Sequence, residues 1–181
     1  ALSFSQVHRD WLDLLPTNAG LALDVGAGSG RDSAALAALG WDVVAVEPAD
    51  GLRNLGKDHT QGLTVHWIND SLPQLTEVRT LSQTYDLILL SAVWMHLPES
   101  CRERAFRVLA NLLAPKGVLA ISLRHGPSTD ERIFHSVSVA ELELFAKQQA
   151  LKPLRISRSD DALRREQVSW ETVVFQFNDD G

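Results

Sequence analysis

The sequence predicts an α/β fold: one domain with a mostly parallel open sheet and helices on both faces, three layers in all. Three observations lead there. Apolar runs of strand length, such as "LALDV", "WDVVAVE" and "GVLAISL", alternate with helical patterns along much of the chain. The runs are continuously apolar, as strands buried on both faces require. At 181 residues and 45% hydrophobic content, the chain is long enough for one well-buried core and short for two complete domains.

The elements follow in order. Val7, Trp11, Leu14 and Leu15 recur at helical spacing until Pro16 and Gly20 break the pattern, so a short amphipathic helix precedes the sheet. "LALDV", then "SAALAALG" ending on a glycine suited to a helix C-terminus, then "WDVVAVE" form a strand, helix, strand unit. The alternation continues, with "LTVHWI" as a third strand and "YDLILLSAV" as a fourth. Residues 99 to 113 follow as a helix carrying Phe106, Leu109 and Leu113 on one side, and "GVLAISL" as a fifth strand. Ser138 and Glu141 have capping-box spacing and open a helix running to about Ala150. "KPLRIS" and "SWETVVFQF" are separated only by the charged "RSDDALRREQ", which predicts a hairpin rather than another crossover.

Composition narrows the function classes. A formal net charge of −6 argues against a broad nucleic-acid-binding face, which would need clustered Lys and Arg. The one cysteine, Cys101, sits in an apolar helical pattern and reads as an ordinary packed thiol. Neither a signal-peptide pattern nor an apolar run approaching the ~20 residues of a bilayer span is found, so a soluble cytoplasmic protein without membrane partners is expected. His59, His66 and His135 show no metal-ligand spacing, and no metal site is expected.

The most informative stretch is "LDVGAGSGRD", residues 23 to 32. Between a first strand and its helix, a side-chain-free turn lets a ligand lie against backbone amides. A dinucleotide fingerprint G-x-G-x-x-G would place its last glycine at position 31, which is Arg31. The actual run is Asp24-Val25-Gly26-Ala27-Gly28-Ser29-Gly30, D-x-G-x-G-x-G. It resembles motif I of the S-adenosylmethionine-dependent methyltransferases with a Rossmann-like fold.

That resemblance covers roughly residues 20 to 124 and implies the rest of a cofactor site. It implies the strand order 3-2-1-4-5-7-6, with an antiparallel C-terminal strand. Glu47, which ends the second strand, would bind both ribose hydroxyls, with Pro48 beside it. A carboxylate suits a diol because its two oxygens both accept. In "INDSLPQL", Asp70 would accept from the adenine amine, with Ser71 and Leu72 beside the ring. "YDLILLSAVWMHLP" resembles the segment whose strand ends beside the methyl donor, which puts Ser91 and Ala92 at the cofactor. "LLAPKGVLAIS" resembles the helix, turn and strand that follow, with Lys116 in place of a glycine. Residues 1–19 would then be a helical cover, 20–124 the cofactor-binding core and 125–181 a C-terminal helix and hairpin.

The implied activity is transfer of a methyl group from S-adenosyl-L-methionine to a small-molecule acceptor, leaving S-adenosyl-L-homocysteine. A sulfonium methyl is already activated, so alignment and dry surroundings matter more than a fixed catalytic set. A base would help a hydroxyl or ammonium acceptor, and His96 and His125, each following a strand end, are the candidates. The plainer reading is that either histidine simply caps a helix or holds a loop. Trp94 and Met95 either line the methyl-transfer pocket or pack against the next helix. His8 and Trp11 stand where an N-terminal cover would close, Trp11 reading primarily as core, and Trp170 reads as a sheet residue within reach of the crevice rim. No sizeable insertion follows the fifth strand, which favours a small acceptor; its identity, its nucleophilic atom and the oligomeric state stay open. A non-enzymatic cofactor-binding module and a nicotinamide-dependent oxidoreductase are the alternatives, the latter disfavoured by Arg31.

Overall fold

The computed structural model describes residues 2–127, 134–161 and 163–179. In chain order the elements are α1 (Phe4–His8), β1 (Leu21–Val25), α2 (Arg31–Ala38), β2 (Asp42–Val46), α3 (Asp50–His59), β3 (Val65–Ile68) and α4 (Thr76–Thr80). They continue with β4 (Tyr85–Leu90), α5 (Glu99–Leu112), β5 (Leu113–His125), α6 (Val139–Gln148), β6 (Leu151–Asp160) and β7 (Ser169–Phe177). All seven strands join one sheet in the order β3-β2-β1-β4-β5-β7-β6. The pairings among β1 to β5 are parallel; β7 runs antiparallel to both β5 and β6.

The unbroken apolar strands are explained by two separate cores. Leu23, Val25, Ile88, Leu90, Leu119, Ile121 and Val173 point to one, where Phe106 of α5 and Leu142 of α6 meet them. Their neighbours Ala22, Leu87, Leu89, Val118, Ala120 and Val174 point to the other, under Phe4, Trp11 and Leu36. A strand with period-two geometry must be apolar at every position when both faces are covered. Burial of each large side chain contributes roughly 1.5–3 kcal/mol, so this double coverage is the main stabilising term.

Several expectations are adjusted. The N-terminal amphipathic stretch is not one helix. It is α1, opened by a capping box between Ser3 and Gln6, and then a separate 3-10 turn at Leu12–Leu14. Trp11 sits in the break and is buried. The fifth strand begins four residues before "GVLAISL", because Leu113 already pairs with Tyr85. At α6 only half the capping box forms: Ser138 Oγ accepts from Glu141 N at 3.1 Å, while the Glu141 carboxylate takes the buried Arg102 guanidinium at 3.1 Å. The C-terminal hairpin is present, but β6 runs to Asp160, so part of "RSDDALRREQ" is strand. Cys101 is half-buried on α5. Among the described residues no helix is long and apolar enough to cross a membrane.

Candidate cofactor and acceptor site

The glycine turn leaves β1 by crossing to β2: Gly26 N and Ala27 N both donate to Val46 O, at 2.9 and 2.8 Å. Gly26, Gly28 and Gly30 all have left-handed φ, which an L side chain takes only at a cost. They differ in what surrounds them. A Cβ on Gly26 would stand 2.4 Å from Val93 Cγ2, and one on Gly30 would be 3.0 Å from the Trp67 ring. A Cβ on Gly28 would meet nothing within 4 Å. Two glycines are therefore demanded by the protein's own packing, and the middle one turns a bare backbone toward open space, as a cradle for a ligand requires.

Asp24 lies beneath the turn, 1% exposed, and accepts from Ser33 Oγ at 2.7 Å. Burial, then the charge of Asp32, pushes its carboxyl up to about 7. Asp32, on α2, is itself buried, which alone would raise it. The bonds from His8 Nε2 at 3.2 Å and Arg31 Nε at 2.9 Å prevail and hold it below the usual carboxylate range. His8 thus fastens α1 over the turn, and it is as buried as the core. Arg31, past the turn, is committed to Asp32.

Glu47 ends β2 nearly buried. Its Oε1 accepts from Gly28 N and its Oε2 from Ala49 N, both at 2.9 Å, and its carbonyl takes Arg53 Nη1 at 2.9 Å. The carboxylate is thereby fixed against the middle glycine, with lone pairs remaining on both oxygens. Pro48 beside it is exposed. Asp70 is taken up locally: Oδ1 accepts from Ser71 N and Oδ2 from Val78 N, each at 2.9 Å, so it caps α4. Ser71 is exposed and Leu72 packs against the larger core.

A cavity of about 1540 Å³ lies between the N-terminal segment, the glycine turn and the β6–β7 connection. Of the sequence-predicted cofactor residues, Asp24, Gly26, Ala27, Ser29, Ser91 and Ala92 border it. Gly28, Gly30, Glu47, Pro48, Asp70, Ser71 and Leu72 do not border it. Ala92 has left-handed φ and is held there by its amide, which donates to Ser122 Oγ at 2.9 Å.

The two candidate bases are not in this wall. His96 packs against Phe134 with the rings tilted by 55° and their centroids 5.0 Å apart. His125 lies opposite Ser169 at the end of β5, its Nε2 only 2.7 Å from Glu171 Oε1 but without hydrogen-bond alignment. By alternation His125 and Glu171 belong to the sheet face opposite Ser122 and Thr172, which do line the cavity. Trp94 and Met95 are fully buried, and Trp94 meets Phe106 edge-on. They take the packing role rather than the pocket role. Trp11 belongs to the smaller core and also borders the cavity; Trp170 borders it from the sheet.

Two contacts escaped sequence reasoning. His59, at the end of α3, donates through Nδ1 to Ser29 O at 2.8 Å and so ties the turn to a neighbouring helix. Asp161 gathers Arg165 and Trp170 on the far wall. Both join side chains without sequence periodicity, and no spacing signals them. Among the described residues no group of three His, Cys, Asp or Glu could hold a metal ion.

This geometry agrees with the comparisons. The chain is similar in structure to a TehB-like S-adenosylmethionine-dependent methyltransferase from Corynebacterium glutamicum, at 19% identity and TM-score 0.69, covering 93% of this chain and 86% of that one. It is also similar to magnesium protoporphyrin IX methyltransferase from Synechocystis, solved with S-adenosylmethionine, at 19% identity and TM-score 0.73, covering 93% and 76%. A third is 1,6-didemethyltoxoflavin-N1-methyltransferase from Burkholderia thailandensis, solved with S-adenosylhomocysteine, at 18% identity and TM-score 0.71, covering 96% and 75%. No curated protein matches the chain in sequence. The model of the methyltransferase domain matches residues 22–117, from the first strand into the start of the fifth, and on that match the chain belongs to the methyltransferase domain family.

Proposed function

We propose that this chain is an S-adenosylmethionine-dependent methyltransferase that acts on a small-molecule acceptor. The observation that carries the reading is the pairing of Gly28, left-handed and open on its Cβ side, with the Glu47 carboxylate bound to its amide. A bare backbone beside a fixed carboxylate fits the amino-acid and ribose ends of an adenosyl amino acid. The cofactor, when bound, supplies a methyl already activated on a sulfonium, with a neutral thioether as leaving group.

The chain's own residues then bind, align and exclude water. Glu47 would accept from the ribose hydroxyls through the lone pairs its backbone donors leave. Asp24, at the cavity floor, favours a cationic ammonium nearby, which would draw its carboxyl to the ionised form. Asp70, Ser71 and Leu72 would border the adenine, with Asp70 keeping its capping bonds. Ser91 and Ala92, steadied by Ser122, border the cavity where β4 ends. The N-terminal segment, fastened by His8 and Trp11, shields the turn from water. With the cofactor bound, an acceptor nucleophile would form its bond to carbon as the carbon–sulfur bond broke, and any proton on the nucleophile would leave to solvent or to a group on the acceptor. Structural neighbours named as methyltransferases of magnesium protoporphyrin IX and of 1,6-didemethyltoxoflavin support a small acceptor. Incubation with methyl-labelled S-adenosylmethionine and a metabolite library tests the reading. Label should appear on at least one small molecule and be absent with a Glu47→Ala variant; cofactor binding with no transfer to any class of acceptor speaks against an enzyme.

A further inference from the structure

The outer half of the cavity is a built wall rather than a loose loop. Asp161, buried at the end of β6, accepts from Arg165 N at 3.0 Å, Arg165 Nε at 2.6 Å, Arg165 Nη2 at 3.0 Å and Trp170 Nε1 at 3.1 Å. One carboxylate thus fixes a guanidinium and an indole side by side, and both border the cavity. The same turn is closed by Arg164 N donating to Asp161 O at 2.8 Å. On its other side, Gly126 approaches so closely that a Cβ there would stand 2.3 Å from Gln167 O.

Backbone strain concentrates on this wall. Arg164 and Gln167 both have left-handed φ, at 56° and 63°, and both border the cavity. Non-glycine residues persist in that region only where surrounding structure enforces it, and they gather at ligand sites.

Most of the guanidinium groups on the wall are already matched by carboxylates. Asp161 is matched inside the wall by Arg165, whose bonds hold it well below the ordinary carboxylate range. Arg31 is paired with Asp32 and Arg9 lies 3.9 Å from Asp10. Arg158 and Asp160, which alternate with Ser157 and Ser159 along β6, border the cavity as well. Arg158 is taken up by Glu171 at 3.5 Å, and Asp160 brings a carboxylate to the rim of the same wall. Arg164 has no carboxylate partner among the described residues, and it borders the cavity together with the Arg165 guanidinium and the Trp170 indole. Guanidinium groups recognise carboxylates, and an indole held at its nitrogen offers a fixed apolar surface for a planar body.

We propose that Trp170, Arg164 and Arg165 form the acceptor subsite and select small planar molecules carrying a carboxylate. This rests on the methyltransferase reading for the word acceptor, while the binding itself is a property of the wall. Preorganisation by Asp161 and Gly126 lowers the ordering cost of capture.

Calorimetry with the full chain tests the proposal, using benzoate and 4-hydroxybenzoate against benzamide and 4-hydroxybenzamide, with and without S-adenosylhomocysteine. S-adenosylhomocysteine titration alone tests the methyltransferase reading, and its outcome leaves the carboxylate comparison standing. The acids should bind at least tenfold more tightly than the amides. Arg164→Gln should erase that difference with S-adenosylhomocysteine affinity unchanged, and the acids should shift the Trp170 indole N–H signal, assigned through Trp170→Phe. Equal affinity for acid and amide, binding of neither, or a preference that survives Arg164→Gln with an unmoved indole signal overturns it. Gly126→Ala serves as a second variant that alters the wall without touching either arginine, and it should weaken acid binding while S-adenosylhomocysteine affinity holds.

Discussion

His8 Nε2 lies 3.2 Å from Asp32 Oδ2, with both side chains almost completely withdrawn from solvent. The carboxylate can only accept, so this ring nitrogen carries the proton. The contact joins α1 to the start of α2, directly behind the glycine turn, and Phe4 and Trp11 pack on the same imidazole with centroids at 4.9 and 5.2 Å. Replacement by alanine leaves Asp32 with Arg31 alone. A lost bond to a buried charge with one partner retained is expected to cost about 1–2 kcal/mol. Amide exchange across residues 4 to 14 should accelerate in His8→Ala, with S-adenosylhomocysteine binding weakened in parallel. Unchanged exchange there would mean that the N-terminal segment is held by something other than this latch.

The glycines of the turn are separable by mutation. Gly28→Ala should cost about 1–2 kcal/mol of stability, the left-handed penalty alone. Gly26→Ala adds the encounter with Val93 Cγ2 at 2.4 Å and should cost more. In a Val93→Ala background the excess should largely disappear, as a double-mutant cycle by denaturant unfolding will show. Additive costs in that cycle would place the strain elsewhere.

Asp24 gives a pH dependence whose sign follows from its direction of shift. Its folded-state value, pushed to about 7, exceeds the unfolded 3.8, so the native state binds the extra proton between those limits. Its contribution to stability is present below about pH 4 and is lost as pH rises through 7. Relative to Asp24→Asn, the wild-type protein should therefore lose stability between those pH values, on the order of 1–3 kcal/mol. A ligand bearing an ammonium group should release a proton on binding below pH 7, measurable as buffer-dependent heat in calorimetry. A wild-type to Asp24→Asn difference that stays flat with pH contradicts the assignment.

His59 is an exposed residue with a specific duty. Its Nδ1–H bond to Ser29 O is one of the ties between α3 and the turn. His59→Ala should raise the dissociation constant for S-adenosylhomocysteine by about three- to tenfold, the worth of one hydrogen bond. The thermal midpoint should hardly move. A loss of stability without a change in affinity would reassign His59 to structure.

What the sequence carried, and what it did not, follows from range. Strands such as Leu21–Val25 and the turn at Gly26 to Gly30 are local patterns, legible because apolar runs and glycines act over a few residues. The helix α3 was less visible: Gly51 and Gly56 lower its propensity, and Gly56 is kept because a Cβ there would be 2.2 Å from the Trp67 ring. The five-residue α4 is too short to show a period, so the capping bond from Val78 N to Asp70 is not visible in the sequence. The fastening of His8 to Asp32, of His59 to Ser29 and of Asp161 to Trp170 depends on the folded chain. Strand-end position made His96 and His125 candidate bases. Position along a strand could not reveal that His125 shares its face with Glu171, away from the cavity.

Titration calorimetry of S-adenosylhomocysteine against the wild-type chain, Glu47→Gln and Glu47→Ala bears most directly on the central claim, that the glycine turn and Glu47 together hold an adenosyl amino acid. The wild-type chain should bind, and removal of the carboxylate should weaken binding roughly ten- to hundredfold, as loss of charge-assisted hydrogen bonds to a diol implies. Glu47→Gln, which preserves shape, should weaken it while the protein stays folded by circular dichroism. Affinity unchanged in both variants, or no binding by the wild-type chain, would contradict the account.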